Sequence, residues 1–249
     1  MSLCAQNEDF FHWLLIPPEK ILTVPQVDYE VNSIRFRNLV VFSGQGLGKT
    51  SLVRAMLEKV VEFYGEDNVN GVFDNTGHIQ WMLDYGLDKR MVQFLFCDDL
   101  TMVEIPKGEL RKWFQIRHHW KRVSGRDTGY IISVLACHRF YSLERALRGN
   151  IDCVIARNDT IDPYDHGVLK RFIGDGGIED LKEIELLREE DPTYMGYSIF
   201  NNRFSKGMLN LPMAKKDYFI ELGVPLYEAF KNMKSFKAIS TLQRVRELE

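Results

Sequence analysis

The sequence has no apolar run long enough to cross a membrane, and it contains little cysteine. None of its four cysteines has the C-x-x-C spacing of metal ligands, and three lie inside apolar runs that are typical of strands. We therefore expect small buried thiols in a reducing compartment. The first apolar stretch, residues 10–16, is short and follows Glu8 and Asp9, which is unlike a secretion signal. The sequence thus predicts a soluble, cytoplasmic protein.

An excess of positive charge is also missing, because the formal net charge of the chain is −3. This value argues against a protein that coats nucleic acid indiscriminately, although it leaves room for a local basic site. Neither helix-turn-helix nor zinc-finger spacing is present, so sequence-specific base reading is not indicated. With 249 residues, 45% of them hydrophobic and 27% charged, the chain has the profile of one large globular domain with appendages.

Apolar runs alternate with amphipathic segments through most of the chain. This alternation predicts an α/β fold with a mostly parallel, doubly wound sheet that is flanked by helices. We expect a lead-in over 1–34, a core over 35–212 and a C-terminal helical extension over 213–249. The expected strands are 38–43, 69–73, 91–97, 130–137 and 152–156. The expected helices are 49–64, 78–85, 107–123, 143–147 and 178–190. A late hairpin is expected to pair 194–200 with 207–211, and a last helix is expected after 225.

One segment carries a strong signature for phosphate binding, and it stands between the first expected strand and its helix. It departs from the P-loop pattern G-x-x-x-x-G-K-[ST] only at its first position, which is Ser43. Glycines let such a loop turn its N–H groups inward around a phosphate, and the following helix adds its positive end. Lys49 would contact the β- and γ-phosphates of ATP, and the Thr50 hydroxyl would bind Mg²⁺. The expected nucleotide-binding residues are Ser43, Gly44, Gln45, Gly46, Leu47, Gly48, Lys49, Thr50 and Ser51.

Two carboxylates follow the almost fully apolar run 91–97, and ligands bind at this carboxyl edge of a parallel sheet. Asp98 would hold Mg²⁺, directly or through water, and Asp99 would polarise the attacking water in a Walker B arrangement. Another polar residue, His138, follows the run 130–137 and is the candidate sensor of the γ-phosphate or the lytic water. Alternatively, these residues are only polar turns at strand ends.

From Arg122 onward the sequence resembles the FtsK–HerA superfamily of DNA-pumping ATPases, and especially its compact viral genome-packaging branch. Residues 124–134, SGRDTGYIISV, are similar to that group's G-R-H-x-x-I-S segment ahead of the sensor strand. A second segment resembles the family's L-x-x-x-[IL]-R-x-N-x-D pattern through Leu143, Leu147, Arg148, Asn150 and Asp152. With the phosphate loop and the acidic strand end, the resemblance covers roughly residues 38–212.

The resemblance implies a RecA/HerA-like sheet with an additional strand, in a subunit of a homo-oligomeric ring that is usually a hexamer. Such rings thread double-stranded DNA and hydrolyse ATP between subunits. For this chain the resemblance implies viral genome packaging or plasmid transfer in the host cytoplasm. A capsid or replication protein would be a partner. Arg126 occupies the position of the family's trans-acting arginine finger, and Arg148 competes for that role. A guanidinium from the neighbouring subunit offsets charge on the transferring phosphoryl group.

Three departures from the family pattern surround the expected triphosphate. Ser43 replaces a glycine, Asp99 replaces a glutamate, and His138 replaces a glutamine. These departures motivate a non-catalytic alternative, a nucleotide-gated scaffold with weak hydrolysis. A further alternative is an AAA+ ATPase of the replication-initiator or helicase-loader kind, which would need a C-terminal helical lid.

Residues 107–126 contain seven positive side chains and one negative one, together with two tryptophans. A positive strip of this kind binds phosphates, and a ring would repeat it around a channel. Alternatively, it is the solvated face of a helix that packs its tryptophans on the sheet. The candidate DNA-binding residues are Arg111, Lys112, Arg117, Lys121 and Arg122.

Overall fold

The computed structural model of the chain describes residues 3–22, 34–44, 46–75, 82–98, 116–139, 150–157, 163–186, 194–198 and 206–222. The expected helices at 143–147 and beyond 225, and the first part of the expected helix 107–123, lie outside these ranges. No helix in the described ranges is both long and apolar enough to span a bilayer.

Eight strands form one sheet in the order β7-β6-β5-β1-β4-β3-β2-β8. The pairs from β5 to β8 are all parallel, and the hairpin of β6 and β7 extends the β5 edge with antiparallel pairs. This order confirms the predicted doubly wound α/β fold. The strands are β1 (Ile34–Phe42), β2 (Val69–Asp74), β3 (Val92–Cys97), β4 (Gly129–Cys137), β5 (Cys153–Ala156), β6 (Tyr194–Ser198), β7 (Lys206–Leu209) and β8 (Phe219–Glu221).

Helices cover both faces of the sheet, so its central strands are buried on both sides and read as continuous apolar runs. Every residue of β2, β3, β4 and β5 is buried. The helices are α1 (Leu3–Leu14), α2 (Pro18–Leu22), α3 (Lys49–Tyr64), α4 (Ile116–Ser124) and α5 (Pro163–Leu186), and a short π-helical turn occupies Met82–Gly86.

The last long helix differs from the sequence expectation. The expected helix 178–190 is the second part of α5, which already begins at Pro163, and Gly174 interrupts the helical conformation with a φ of 71°. Proline suits the first turn of a helix because its missing N–H has no partner there. The glycines of this segment lowered its apparent helix propensity and hid its first half from the sequence pattern.

Both ends of the described chain pack onto the core. Phe10, Leu14 and Ile21 of the lead-in are fully buried and join the apolar layer beneath α3. Within the expected C-terminal extension, β8 pairs with β2 and adds an edge strand to the sheet. The carboxylate of the buried Glu58 in α3 accepts a hydrogen bond from the backbone N–H of Lys215 at 3.0 Å. This bond holds the segment that precedes β8 against α3.

Gly129 supports a stability prediction, because its Cα lies against the indole of the buried Trp120. A Cβ at this position would collide with Trp120 Cη2 and Cζ3 and would lie 3.1 Å from the Met91 carbonyl oxygen. Overpacking of this kind costs about 1–3 kcal/mol, and here the ring and a backbone oxygen both resist movement. We expect Gly129→Ala to lower the free energy of unfolding by an amount in the upper part of that range, and urea titration would show this as a lower midpoint of unfolding.

Gly167→Ala is the matched control, because nothing lies within 4 Å of a Cβ at Gly167 inside α5. Alanine is favoured over glycine in a helix interior by up to about 1 kcal/mol. The control should therefore unfold at the wild-type midpoint or above it. Equal midpoints for Gly129→Ala and the wild type would show that Trp120 moves aside at no cost.

Candidate functional site

The loop between β1 and α3 has the backbone of an anion-binding turn. Gly46 and Gly48 adopt left-handed φ values of 75° and 83°, which glycine reaches without strain. The N-cap residue of α3 is Gly48, which has no side chain that could accept the first N–H groups of the helix. The sequence therefore builds the loop and helix end that the motif predicts, and α3 runs from 49 to 64 as expected. Gln45 lies outside the described residues.

Lys49 lies at the centre of this loop. Only 6% of the residue is exposed, and its Nζ donates to the carbonyl oxygens of Ser43 at 3.1 Å and Gly44 at 3.0 Å. These bonds draw the ammonium group against the first residues of the loop. The positive charge is thereby held beside the loop.

Thr50 at the start of α3 and Asp98 just after β3, the two residues predicted to bind Mg²⁺, lie in contact with each other. The Thr50 hydroxyl donates to Asp98 Oδ2 at 2.5 Å. A hydroxyl and a carboxylate are hard oxygen ligands of the type that Mg²⁺ takes alongside phosphate oxygens and water. In the described ranges, no group of three or more acidic, histidine or cysteine side chains is arranged to hold a metal ion by itself. The donor set thus fits a magnesium ion that shares its coordination with a nucleotide, and it does not resemble an all-protein metal cage.

His138 follows β4 and meets the loop lysine, with Lys49 Nζ 3.0 Å from His138 Nδ1. An ammonium group only donates, so Nδ1 is the acceptor in this contact. The structure thus brings four of the predicted catalytic or metal-binding residues, Lys49, Thr50, Asp98 and His138, to the carboxyl ends of the parallel strands. Asp99 and Arg148 lie outside the described residues.

Asp74 is a residue at this edge that the sequence reasoning missed. It ends β2, it is 2% exposed, and its carbonyl oxygen accepts the backbone N–H of Asp98 at 2.9 Å. The pKa of the Cys97 thiol is raised by burial first and then by the carboxylates of Asp74 and Asp98, which places both charges near one sulfur. A search for polar residues at the end of every expected parallel strand would have found it.

Tyr194, the first residue of β6, is a second contributor that the sequence reasoning missed. Its hydroxyl reaches both Ser43 and Leu47 of the phosphate loop. No local pattern in the sequence connects this tyrosine with the loop, because the contacts span 151 and 147 residues.

Arg126 lies near the amino-terminal ends of the parallel strands, whereas the phosphate loop lies at their carboxyl-terminal ends. Its Nε donates to the Lys89 carbonyl oxygen at 2.7 Å, and its backbone N–H donates to Ser124 Oγ at 3.1 Å. It precedes β4, whose nine residues run parallel to β1 toward the loop. At about 3.3 Å per residue, this separation is roughly 25–30 Å. Arg126 therefore cannot reach the phosphate loop of its own chain.

The described part of the basic strip is held by contacts within the chain. The Arg117 guanidinium lies 5.2 Å from the centre of the Phe36 ring, and Lys121 Nζ lies 3.0 Å from Asp127 Oδ1. Arg122 lies 2.9 Å from His119 Nδ1. Ile116 and Trp120 bury the other side of α4, as expected of a helix that packs on the sheet. Arg111 and Lys112 lie outside the described residues, so DNA contact stays a prediction.

The strand order, the left-handed glycine loop and the polar carboxyl edge together define a P-loop NTPase fold. The strand β4, which ends just before His138, lies between β1, which leads into the P-loop motif, and β3, which ends just before Asp98. This is the additional-strand arrangement that the sequence resemblance implied.

Structural neighbours of the chain include a packaging NTPase of the kind that the sequence resembles. They include the genome packaging NTPase B204 from Sulfolobus turreted icosahedral virus 2 in complex with AMPPCP, which is 12% identical and covers 71% of this chain and 98% of that chain with a TM-score of 0.47. The DNA-packaging ATPase B204 from Sulfolobus turreted icosahedral virus is 11% identical, with coverage of 71% and 98% and a TM-score of 0.45. The N-terminal domain of zonular occludens toxin from Neisseria meningitidis is 9% identical, with coverage of 72% and 96% and a TM-score of 0.36.

These identities relate the chain to its neighbours in fold alone, and TM-scores below 0.5 add no weight to a shared activity. No family model matches the chain, and no curated protein sequence matches it.

Proposed function

We propose that the chain is a magnesium-dependent ATPase that moves double-stranded DNA as part of a ring of identical subunits. The observation that carries the ATPase part is the meeting of Lys49, the Thr50–Asp98 pair and His138 at the carboxyl edge of the sheet. A triphosphate cradled by residues 43–51 would bring its β- and γ-phosphates to these groups.

Each residue has a separate task in this proposal. Lys49 holds the β- and γ-phosphates, while Thr50 and Asp98 hold Mg²⁺, which offsets the negative charge of the phosphates. His138, whose Nδ1 lies 3.0 Å from Lys49 Nζ, senses the γ-phosphate or the attacking water. Asp99 polarises that water, a role that rests on its place in the sequence after Asp98.

The DNA-moving part of the proposal rests on the packaging-type motifs of residues 124–152 and on the position of Arg126. A cation that cannot reach its own phosphate loop can act as an arginine finger only in a neighbouring subunit. The antiparallel hairpin of β6 and β7, which extends the sheet beyond β5, supports the motor over an AAA+ loader. The exposed part of α4 would add positive charge toward a DNA channel.

ATP turnover in the presence of linear double-stranded DNA tests this function. We expect DNA to raise the Mg²⁺-dependent turnover of the wild type at least severalfold, and we expect chelation of Mg²⁺ to stop it. Tight ATP binding with no turnover, with or without DNA, would instead favour the nucleotide-gated scaffold that Asp99 and His138 motivate. DNA-independent turnover would leave an ATPase but remove the motor.

Mixing two inactive variants tests the arginine finger separately. An Arg126→Ala subunit keeps an intact phosphate loop, and a Lys49→Ala subunit keeps its Arg126. If Arg126 acts in trans, a mixture of the two should regain a part of the wild-type turnover, because some interfaces combine both intact groups. A mixture that stays as inactive as its components would argue against a finger at Arg126 and would turn attention to Arg148.

A further inference from the structure

The hydroxyl of Tyr194 connects the two ends of the phosphate loop. It donates to the Leu47 carbonyl oxygen at 2.6 Å and lies 3.1 Å from Ser43 Oγ. A tyrosine hydroxyl has one hydrogen to donate, so Ser43 is the donor in the second contact, and the Gly44 carbonyl oxygen is a more distant acceptor for the same Ser43 hydrogen at 3.4 Å. Ser43 and Tyr194 are each 1% exposed, so the bond between them is shielded from bulk water. We call this Ser43–Tyr194–Leu47 chain of hydrogen bonds the loop brace.

The bond to Leu47 fixes the orientation of one peptide group in the loop. In a trans peptide, the carbonyl oxygen and the N–H of the next residue point in opposite directions. Because the Leu47 oxygen points toward Tyr194, the Gly48 N–H points away from it. Successive N–H groups that precede the lysine form the concave nest that binds phosphate oxygens in loops of this type. Gly48, at a φ of 83°, has no side chain that would enforce this orientation locally.

We propose that Tyr194 is a positioning residue, which holds the Leu47–Gly48 peptide in the orientation that binds the triphosphate. This inference rests on the proposed function, because it assigns a task within the same nucleotide site. It also explains Ser43, which stands where the loop pattern has glycine: its hydroxyl completes the loop brace. Serine in place of glycine is thus accompanied by Tyr194, 151 residues later in the chain, whose hydroxyl bonds to the Ser43 side chain.

Removing the Tyr194 hydroxyl tests the proposal with little change in packing. We expect Tyr194→Phe to raise the Kd for Mg²⁺–ATP by about threefold to tenfold, the value of one neutral hydrogen bond. Magnesium tripolyphosphate should lose affinity by the same factor, because the loop brace acts on the phosphate cradle and not on the base. The KM for turnover should rise with the Kd, while kcat stays within about twofold.

Tyr130→Phe is the matched control. The Tyr130 hydroxyl is buried and also donates to a backbone carbonyl oxygen, that of Leu14, at 2.6 Å. It lies near the opposite end of the sheet from the loop. Both variants should lose a comparable amount of stability in urea, but only Tyr194→Phe should lose affinity for ATP and tripolyphosphate.

Ser43→Ala provides a second variant in case Tyr194→Phe does not fold. Alone, it should raise the Kd for Mg²⁺–ATP about twofold to fivefold, because Tyr194 keeps its bond to Leu47. In the Tyr194→Phe background it should have no further effect, since its partner is already gone. An unchanged Kd in the single variant, or full additivity in the double variant, would overturn the loop brace.

The failure of this inference can be told apart from the failure of the proposed function. If the wild type binds Mg²⁺–ATP, Lys49→Ala does not, and Tyr194→Phe binds as tightly as Tyr130→Phe, only the loop brace is overturned. If the wild type shows no binding that depends on Lys49, the proposed function fails and the loop brace fails with it. A selective loss of affinity in Tyr194→Phe supports both.

Discussion

Lys49→Ala is expected to lower ATP turnover by about two to three orders of magnitude. The variant removes the charge that lies within 3.1 Å of two loop carbonyl oxygens and would contact the β- and γ-phosphates. Loss of one preorganised group that stabilises developing charge has an effect of this size in other enzymes. ATP binding should weaken as well, because the contact exists before the reaction. Steady-state turnover and calorimetric titration with Mg²⁺–ATP measure the two effects.

Lys59→Ala is the control for this prediction, because Lys59 lies ten residues further along the same helix and is 41% exposed. Its Nζ pairs with Glu62 at 2.6 Å on the surface, and such pairs add little to stability. The control should retain the wild-type turnover and affinity. Equal activity of Lys49→Ala and Lys59→Ala would remove the loop from any catalytic role.

Asp98→Asn should have the second largest effect, a loss of Mg²⁺-dependent turnover of about a hundredfold or more. An amide keeps an oxygen that can accept the Thr50 hydroxyl, so the fold and the loop should persist. It lacks the negative charge with which a carboxylate binds Mg²⁺. The Mg²⁺ concentration that gives half-maximal turnover should rise, whereas ATP binding measured in EDTA should stay near the wild-type value.

Asp127→Asn is a suitable comparison for Asp98→Asn, since the Asp127 side chain is 78% exposed and pairs with Lys121 on the surface. Its Mg²⁺ dependence should match that of the wild type. If Asp98→Asn also kept the wild-type dependence, the metal would have to be held by a different carboxylate. Asp74, at the end of the neighbouring strand, would then be the next residue to replace.

Local signals predicted the elements that hold the site. The boundaries of α3 followed from the amphipathic spacing of 49–64 and from glycines on both sides, and the structure places the helix at Lys49–Tyr64. The apolar runs predicted β2, β3, β4 and β5 to within one residue or so, because strands that are buried on both faces need no polar positions. The start of β1 was placed four residues late, since Arg35 and Arg37 interrupt its apolar pattern.

Long-range partners were beyond the reach of such signals. The pairing of β8 with β2 could not be predicted, because a strand of three residues is too short to show a periodic pattern. The contact between Tyr194 and Ser43 could not be predicted either, because a single tyrosine hydroxyl forms no recognisable motif. Arg126 and the phosphate loop lie at opposite ends of the strands, and this could be deduced only from the parallel register of β1 and β4. Sequence reasoning therefore identified the chemistry of the site better than the residues that hold its geometry.

The strand order also has a consequence for how the chain folds during synthesis. The strand β1, which precedes the phosphate loop, pairs only with β4 and β5 in the described sheet, and both strands come about a hundred residues later. Loop closure over such separations is slow compared with the formation of a local helix. A nascent chain that has emerged only to the end of α3 contains the complete P-loop motif and β1, but neither of the strands that pair with β1. Nucleotide binding should therefore be acquired late in translation, once residues up to β6 have left the ribosome.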